Sequence, residues 1–243
     1  VPGAPGPQLV VPDVLAALQS LARQARAAWG HLVLAVTGSA GKTSTKDAVA
    51  TFLSAAFPLS KTTGNFNNHI GVPLSILRID DASQAAVLEM GMNHAGEIRD
   101  LCGIARPDIG LVTNVGYAHV ENFSNGIDGI AAAKRELILS LPSGATAILN
   151  ADDPRVSRFA EGLPLRVETF GLSEAAKTRA THVEYTLDGA RFLIDRQPFT
   201  SHVPGRIGVL NVTAAVAAAR LFGVPLRVLA AKAHEIPPAK MRS

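Results

Sequence analysis

The sequence predicts an α/β fold: a mostly parallel sheet flanked by helices, of the phosphate-loop type, with a small antiparallel β flap. Three observations predict it. Short, apolar, β-branched runs alternate with stretches of helical periodicity through the first 140 residues. Each of those runs ends in polar or glycine-rich sequence. Beyond residue 145 the texture shifts to short β-like runs separated by turns, and from about 178 to 204 these read as an antiparallel flap on the main sheet.

Size and composition allow this. With 243 residues and 47% hydrophobic content, the chain can bury the core of one large α/β domain. A formal charge of +3 gives no reason to expect nucleic acid, yet suits small anionic ligands. The single cysteine, Cys102, excludes an intramolecular disulfide, which fits a reducing compartment. No apolar run approaches the ~18 residues of a membrane span, and the N-terminus lacks a signal-peptide pattern. A cytoplasmic monomer without membrane insertion is expected.

Residues 1–11 hold three prolines and two glycines and read as a linker, which suggests that a further segment precedes them. Asp13 can cap a helix whose apolar face is Val14, Leu15, Leu18, Leu21 and Trp29. Residues 32–36 are a buried strand. Gly38 and Gly41 follow, then Lys42, Thr43, Ser44 and Thr45, and apolar residues at helical spacing (Ala48, Val49, Phe52, Leu53). Strand, glycine turn, Lys-Thr and helix is the layout of a phosphate-binding loop. Glycines let backbone N–H groups converge on an anion, and the helix start adds its positive dipole end. A lysine is unfavourable at that end without an anion nearby. The fit is G-x-x-G-K-[ST], because position 36, where the general pattern has glycine, is Val36.

Residues 59–79 contain a dense polar loop with Asn65, Asn67, Asn68 and His69, readable either as a turn or as a ligand-contacting loop. Residues 85–90 form a second core strand that ends in Glu89, where a carboxylate can serve Mg²⁺. A helix over 96–106 and a third strand over 109–113 lead into Asn114, Gly116 and His119. The helix expected over 124–141 has an apolar stripe of Ile127, Ile130, Leu137, Ile138 and Leu141, and Lys134 falls inside it. Such a lysine either snorkels to the edge or is held with a depressed pKa, as a neutral amine able to form a carbamate. Strand-like runs follow over 145–150, 165–170, 182–187, 191–194 and 199–203, with a hairpin signal at Asp188-Gly189. Helices are expected over 211–221 and 226–235.

Together the segments TGSAGKTSTKD, TTGNFNNHIGVPLSIL, LEMGMNHAGEIRDL, ARPDIGLVTNVGYAHVENF, GIAAAKRELI and LNADDP resemble the central ATPase domain of the Mur peptide ligases, over nearly all of residues 10–243. The GNxNNxIGxP loop and the AHxExF…AK spacing favour the branch that joins D-alanyl-D-alanine to UDP-N-acetylmuramoyl-tripeptide, in peptidoglycan precursor synthesis. The resemblance implies that Gly38, Ser39, Ala40, Gly41, Lys42, Thr43 and Ser44 hold ATP phosphates, and that Asn211 contacts adenine. It implies Mg²⁺ ligation by Thr43, Glu89, His119 and a carbamylated Lys134, with Lys42, Lys134 and His119 in the catalytic set. The loop of Asn65, Asn67 and Asn68 would face the UDP-sugar peptide. A departure is visible ahead of Asn211: the family's G-x-H pattern is here Gly205, Arg206, Ile207, without the histidine.

The implied organisation is a linker and helix over 1–29, the ATP-binding domain over 30–236, and the start of a second linker over 237–243. Flanking domains for the UDP group and the amino substrate would lie outside. A chain of this extent is expected to bind nucleotide weakly and not to ligate. Two other readings stay open: a sister ligase adding diaminopimelate or lysine, and a nucleotide-binding module without ligase activity.

Overall fold

The computed structural model describes residues 9–118 and 120–237. Its backbone is a nine-stranded sheet in the order β2-β3-β1-β4-β5-β6-β7-β8-β9. The strands are β1 (Leu32–Thr37), β2 (Leu59–Lys61), β3 (Ala85–Glu89), β4 (Ile109–Val112), β5 (Thr146–Asn150), β6 (Arg166–Gly171), β7 (Thr178–Thr186), β8 (Gly189–Ile194) and β9 (Gln197–Ser201). Every pairing from β2 to β7 is parallel, while β7, β8 and β9 are antiparallel. The two regions meet through a short seam, Phe170 opposite Thr178 and Gly171 opposite Arg179. The expected flap therefore exists as the far end of one sheet. The runs near 145–150 and 165–170 are parallel strands that extend the main sheet.

The helices are α1 (Val14–Trp29), α2 (Lys42–Leu53), α3 (Gly71–Leu77), α4 (Glu97–Ala105), α5 (Gly126–Leu139), α6 (Gly205–Arg220) and α7 (Leu226–Lys232). Alternation along β1 divides the core. Leu34 and Val36 pack with α2 and α6 on one face, and Val33 and Ala35 pack with α3, α4 and α5 on the other. Phe199 joins the antiparallel end to α2, meeting Phe52 edge-on at 6.4 Å and stacking on Phe192 at 6.1 Å. Among the described residues, no helix is long and apolar enough to cross a membrane.

Asp13 caps α1 as expected, its carboxylate accepting from the Ala16 N–H at 3.0 Å. The apolar face expected on α1 is different. Val14 is 75% and Leu21 55% exposed, and Leu15 is also exposed. The helix instead buries Ala22 and Arg26, with Leu18 and Trp29 half-buried. The reason lies at the end of α4, whose last carbonyls need donors. Arg26 supplies them, from Nε to the Ala105 carbonyl at 2.7 Å and from Nη2 to the Arg106 carbonyl at 3.0 Å. It also pairs with Asp108 at 3.2 Å. Burial lowers the pKa of the guanidinium, and Asp108 opposes that shift. Arg26→Ala should cost about 3 kcal/mol, because it strands two carbonyls, whereas the Asp108 carboxylate keeps the Val33 N–H at 2.8 Å and contact with solvent. Urea denaturation would measure it.

Candidate active site

The sheet places the site. β1 is followed in space by β3 on one side and β4 on the other, so the chain changes direction between β1 and β4. Ligands of open α/β sheets collect beyond the carboxyl ends of the strands at such a point. Here the loop after β1 (38–41) meets the loop after β4 (113–116). The Ser39 N–H donates to the Asn114 carbonyl at 3.0 Å, and the Ala40 N–H donates to Asn114 Oδ1 at 2.9 Å. Asn114 Nδ2 returns a bond to the Ala40 carbonyl at 2.9 Å, and the Thr113 hydroxyl donates to that carbonyl at 2.7 Å. Ser39 Oγ donates to the Gly116 carbonyl at 3.0 Å and accepts from the Gly116 N–H at 2.8 Å.

Both glycines are required by this geometry. Gly38 has φ +151°, and a Cβ there would lie 1.8 Å from Thr113 Oγ1. Gly41 has φ +79° and caps α2, and a Cβ there would lie 2.5 Å from Asn211 Oδ1. Lys42, Thr43 and Ser44 form the first turn of α2, and intrahelical bonding begins with the Thr45 N–H to the Gly41 carbonyl at 2.8 Å. The N–H groups of Ser39 and Ala40 are bonded to Asn114, so the donors aimed outward come from the helix start. Lys42 curls over the loop, its Nζ donating to the Gly38 carbonyl at 2.9 Å.

Lys134 is 4% exposed on α5, with Ile130, Leu137 and Ile138 buried along the same helix. Burial, and then the like charge of Lys42, pull its pKa down to about 7. The structure thus brings these two lysines together. It also favours the second of the two readings of Lys134: the side chain is buried, not edge-directed. The same helix holds the neighbouring loop, since Glu136 accepts from the N–H groups of Gly96 at 2.7 Å and Arg99 at 3.0 Å.

Glu89 ends β3 fully buried. Its Oε1 accepts from Asn67 Nδ2 at 2.8 Å, and its buried Oε2 has no hydrogen-bond partner. A desolvated carboxylate oxygen without a donor is costly unless a cation completes it. Among the described residues no cluster of three or more His, Cys, Asp or Glu side chains is preformed for a metal. His119 lies outside the described residues.

The three asparagines separate. Asn67 reaches Glu89. Asn68 caps the start of α3, its Oδ1 accepting from the N–H groups of Ile70 and Gly71 at 3.1 and 2.8 Å. Asn65 is exposed. All three line, with Lys42, a groove of about 1070 Å³ that continues past Gln19, Arg23 and Arg99.

Asn211 lies in the middle of α6 and is buried, its Oδ1 accepting from the Thr45 hydroxyl at 3.0 Å and its Nδ2 unpartnered. It supports Gly41 from beneath. Asp152 and Asp153 fasten the rim. Burial alone would raise the Asp152 carboxyl; the Leu172 and Ser173 N–H groups and Arg206 outweigh that and hold it below the usual range. Asp153 accepts from the Val115 N–H at 2.7 Å. The polar ends of β4 and β5 were the available signal for Asn114 and for both aspartates.

A parallel sheet whose central strand runs through a glycine loop into a Lys-Thr helix start defines a P-loop-type α/β domain. The Mur ligase middle domain matches residues 36–219, and the chain belongs to the Mur ligase family. The chain is 37% identical over 218 residues to the UDP-N-acetylmuramoyl-tripeptide--D-alanyl-D-alanine ligase of Bacillus subtilis, an alignment covering 89% of the chain and 47% of the relative. It is 36% identical to the Escherichia coli enzyme of the same name, over 93% of the chain and 51% of the relative. The crystal structure I of MurF from Acinetobacter baumannii superposes with a TM-score of 0.88 at 33% identity, covering 96% of the chain and 52% of that protein. MurF ligase from Thermotoga maritima in complex with ADP gives 0.78 at 31% identity, over 91% and 53%. The chain spans about half the length of these relatives.

Proposed function

We propose that residues 30–236 are the central nucleotide-binding domain of a cytoplasmic, monomeric ATP-dependent amide ligase that adds D-alanyl-D-alanine to UDP-N-acetylmuramoyl-tripeptide. In this division residues 1–29 are a linker and helix, and residue 237 opens a second linker. Relatives of that name at 36–37% identity support the substrate assignment. The observation that favours a ligase over a plain nucleotide hydrolase is Lys134, buried beside Lys42, since phosphate binding alone has no use for it.

In the proposed reaction a carboxylate oxygen of the tripeptide attacks the γ-phosphorus of ATP. The bond to the β,γ-bridging oxygen breaks, and ADP leaves. The amine of D-alanyl-D-alanine then attacks the acyl carbon of the acyl phosphate; inorganic phosphate departs, and the amine loses its proton. The first-turn N–H groups of α2 hold the phosphates, and Lys42 offsets charge on the transferring group. Asn211 keeps α6 against the loop and bounds the adenine side. Thr43, Glu89, Lys134 as a carbamate, and His119 would hold Mg²⁺, which supplies charge neutralisation on the phosphates. Asn67 orients Glu89 and, with Asn65 and Asn68, faces the peptide groove.

The test uses the full-length protein with ATP, Mg²⁺ and UDP-N-acetylmuramoyl-tripeptide. Phosphate release should require D-alanyl-D-alanine. With the UDP-N-acetylmuramoyl-dipeptide supplied in a parallel assay, release dependent on diaminopimelate or lysine would instead establish a sister ligase, and release without any amine in either assay a hydrolase. The 243-residue chain alone should release no phosphate under the same conditions and should bind ATP weakly, as a calorimetric titration would show. The flanking domains are proposed to supply the remaining substrate contacts.

A further inference from the structure

One buried cation has no place in the reaction as described. Lys46 lies one helical turn beyond Lys42 on α2 and is 2% exposed. Its Nζ donates to the Thr62 carbonyl at 2.9 Å and stands 3.4 Å from Asp47 Oδ1. Asp47 is itself paired with Lys61 at 2.6 Å. A methionine or leucine would fill comparable space without desolvating an ammonium, so packing alone does not account for a lysine.

Its partner explains more. Thr62 follows β2, a three-residue edge strand hydrogen-bonded only to β3. The Thr62 side chain is fully buried, and its hydroxyl accepts from the Glu89 N–H at 3.0 Å. The Thr62 N–H donates to the Val87 carbonyl at 3.0 Å. Glu89 is the carboxylate with the unpartnered Oε2, and its other oxygen is held by Asn67, five residues beyond Thr62. A continuous path therefore runs from the phosphate helix through the Lys46 ammonium, the Thr62 carbonyl and hydroxyl, and the Glu89 backbone to the bare carboxylate oxygen. Without Lys46, the backbone at the end of this edge strand would be bonded to β3 alone, and the partly exposed Lys61–Asp47 side-chain pair would be left to tie it to α2.

We propose that Lys46 is a positioning residue that sets Glu89, and the start of the asparagine loop, at a fixed place relative to the phosphate loop, so that the carboxylate and the nucleotide phosphates present themselves to one divalent cation. The proposal rests on the reading of the site as an ATP–Mg²⁺ centre.

The experiment measures Mn²⁺ binding by electron paramagnetic resonance in full-length protein with ADP, beside thermal unfolding and the Mg²⁺ dependence of ligation. Lys46→Met and Thr62→Val each remove one bond of the path at nearly constant volume. Each should weaken Mn²⁺ binding about 10-fold, the usual lower range for groups that orient a metal ligand. The double variant should be little weaker than either single one, because both act on one path. The KM for D-alanyl-D-alanine should not change. A Thr62→Val protein with wild-type Mn²⁺ affinity overturns the proposal whatever Lys46→Met does. A folded Lys46→Met protein with unchanged affinity overturns it equally, even if its melting temperature falls. If the wild-type protein with ADP binds no Mn²⁺, the reading of the site itself fails, an outcome distinct from the other two.

Discussion

Lys134→Ala is expected to abolish acyl phosphate formation in the full-length protein, and millimolar acetate or formate is expected to restore part of it. The side chain is buried on α5, beside the Lys42 ammonium and with no carboxylate paired to it among the described residues. Burial disfavours the Lys134 ammonium and the like charge of Lys42 adds to this, so Lys134 is relieved by losing its proton. The neutral amine can then attack CO₂. A nitrogen–carbon bond forms, a proton goes to solvent, and the product is an anion next to Lys42. Two oxygen atoms replace a repelling charge with an attracting one, and they are the hard donors a magnesium site uses. The loss on substitution should exceed about 100-fold in kcat, in line with removing an oxygen ligand from such a site. Rescue separates this from a packing defect, because a freely diffusing carboxylate can replace the anion but not the methylene stem. The measurement is trapping of the acyl phosphate by borohydride reduction, with and without the added acid. An unimpaired Lys134→Ala enzyme would end the carbamate reading.

The second large effect is expected from Lys42→Ala. Its amine bonds the Gly38 carbonyl across the loop, which places it over the site where terminal phosphates would lie. The side chain is only half-buried, so removing it should change the melting temperature little. Single-turnover formation of ADP should fall on the order of 1,000-fold, since a preorganised cation acting on the transferring group is commonly worth that much. Lys42→Arg should not rescue, because the planar guanidinium cannot take the place of a compact ammonium within the turn. ADP formation at the wild-type rate in Lys42→Ala would remove the lysine from the chemistry.

Where the signal was local, the sequence was readable. β1, the glycine loop and α2 follow one another without interruption, and each is specified by its own residues. Lys134 stood out because a single cation interrupted a regular stripe. Readings failed where a distant contact decided the outcome. α6 begins at Gly205, six residues before the start expected at Asn211. Gly208 lies within this helix, and the position needs glycine because a Cβ there would run into the Val203 carbonyl oxygen. The hairpin turn is Leu187–Asp188, one residue earlier than Asp188-Gly189 suggested, and Gly189 opens β8. A Cβ at Gly189 would meet the Ser201 carbonyl oxygen of β9 at 1.7 Å, a constraint set by a strand twelve residues away. The outward leucines of α1 belong to the same class, since the carbonyls that recruit Arg26 are some eighty residues distant. Asn114 was visible as a polar residue at a strand end, but its grip on both sides of Ala40 is a property of two loops meeting.

That grip bears on how the protein would spend its conformational freedom. A glycine-containing loop is, as a free chain, among the most disordered segments a sequence can encode, and fixing each residue costs roughly 1–2 kcal/mol of entropy. Here Asn114, Thr113 and Gly116 order residues 39 and 40 through the protein's own hydrogen bonds. The ordering of the loop is therefore completed when the two strands come together, and an arriving triphosphate meets donors already in place. Association should then be quick and carry little unfavourable entropy from the loop, leaving the slow step to whatever closes over it.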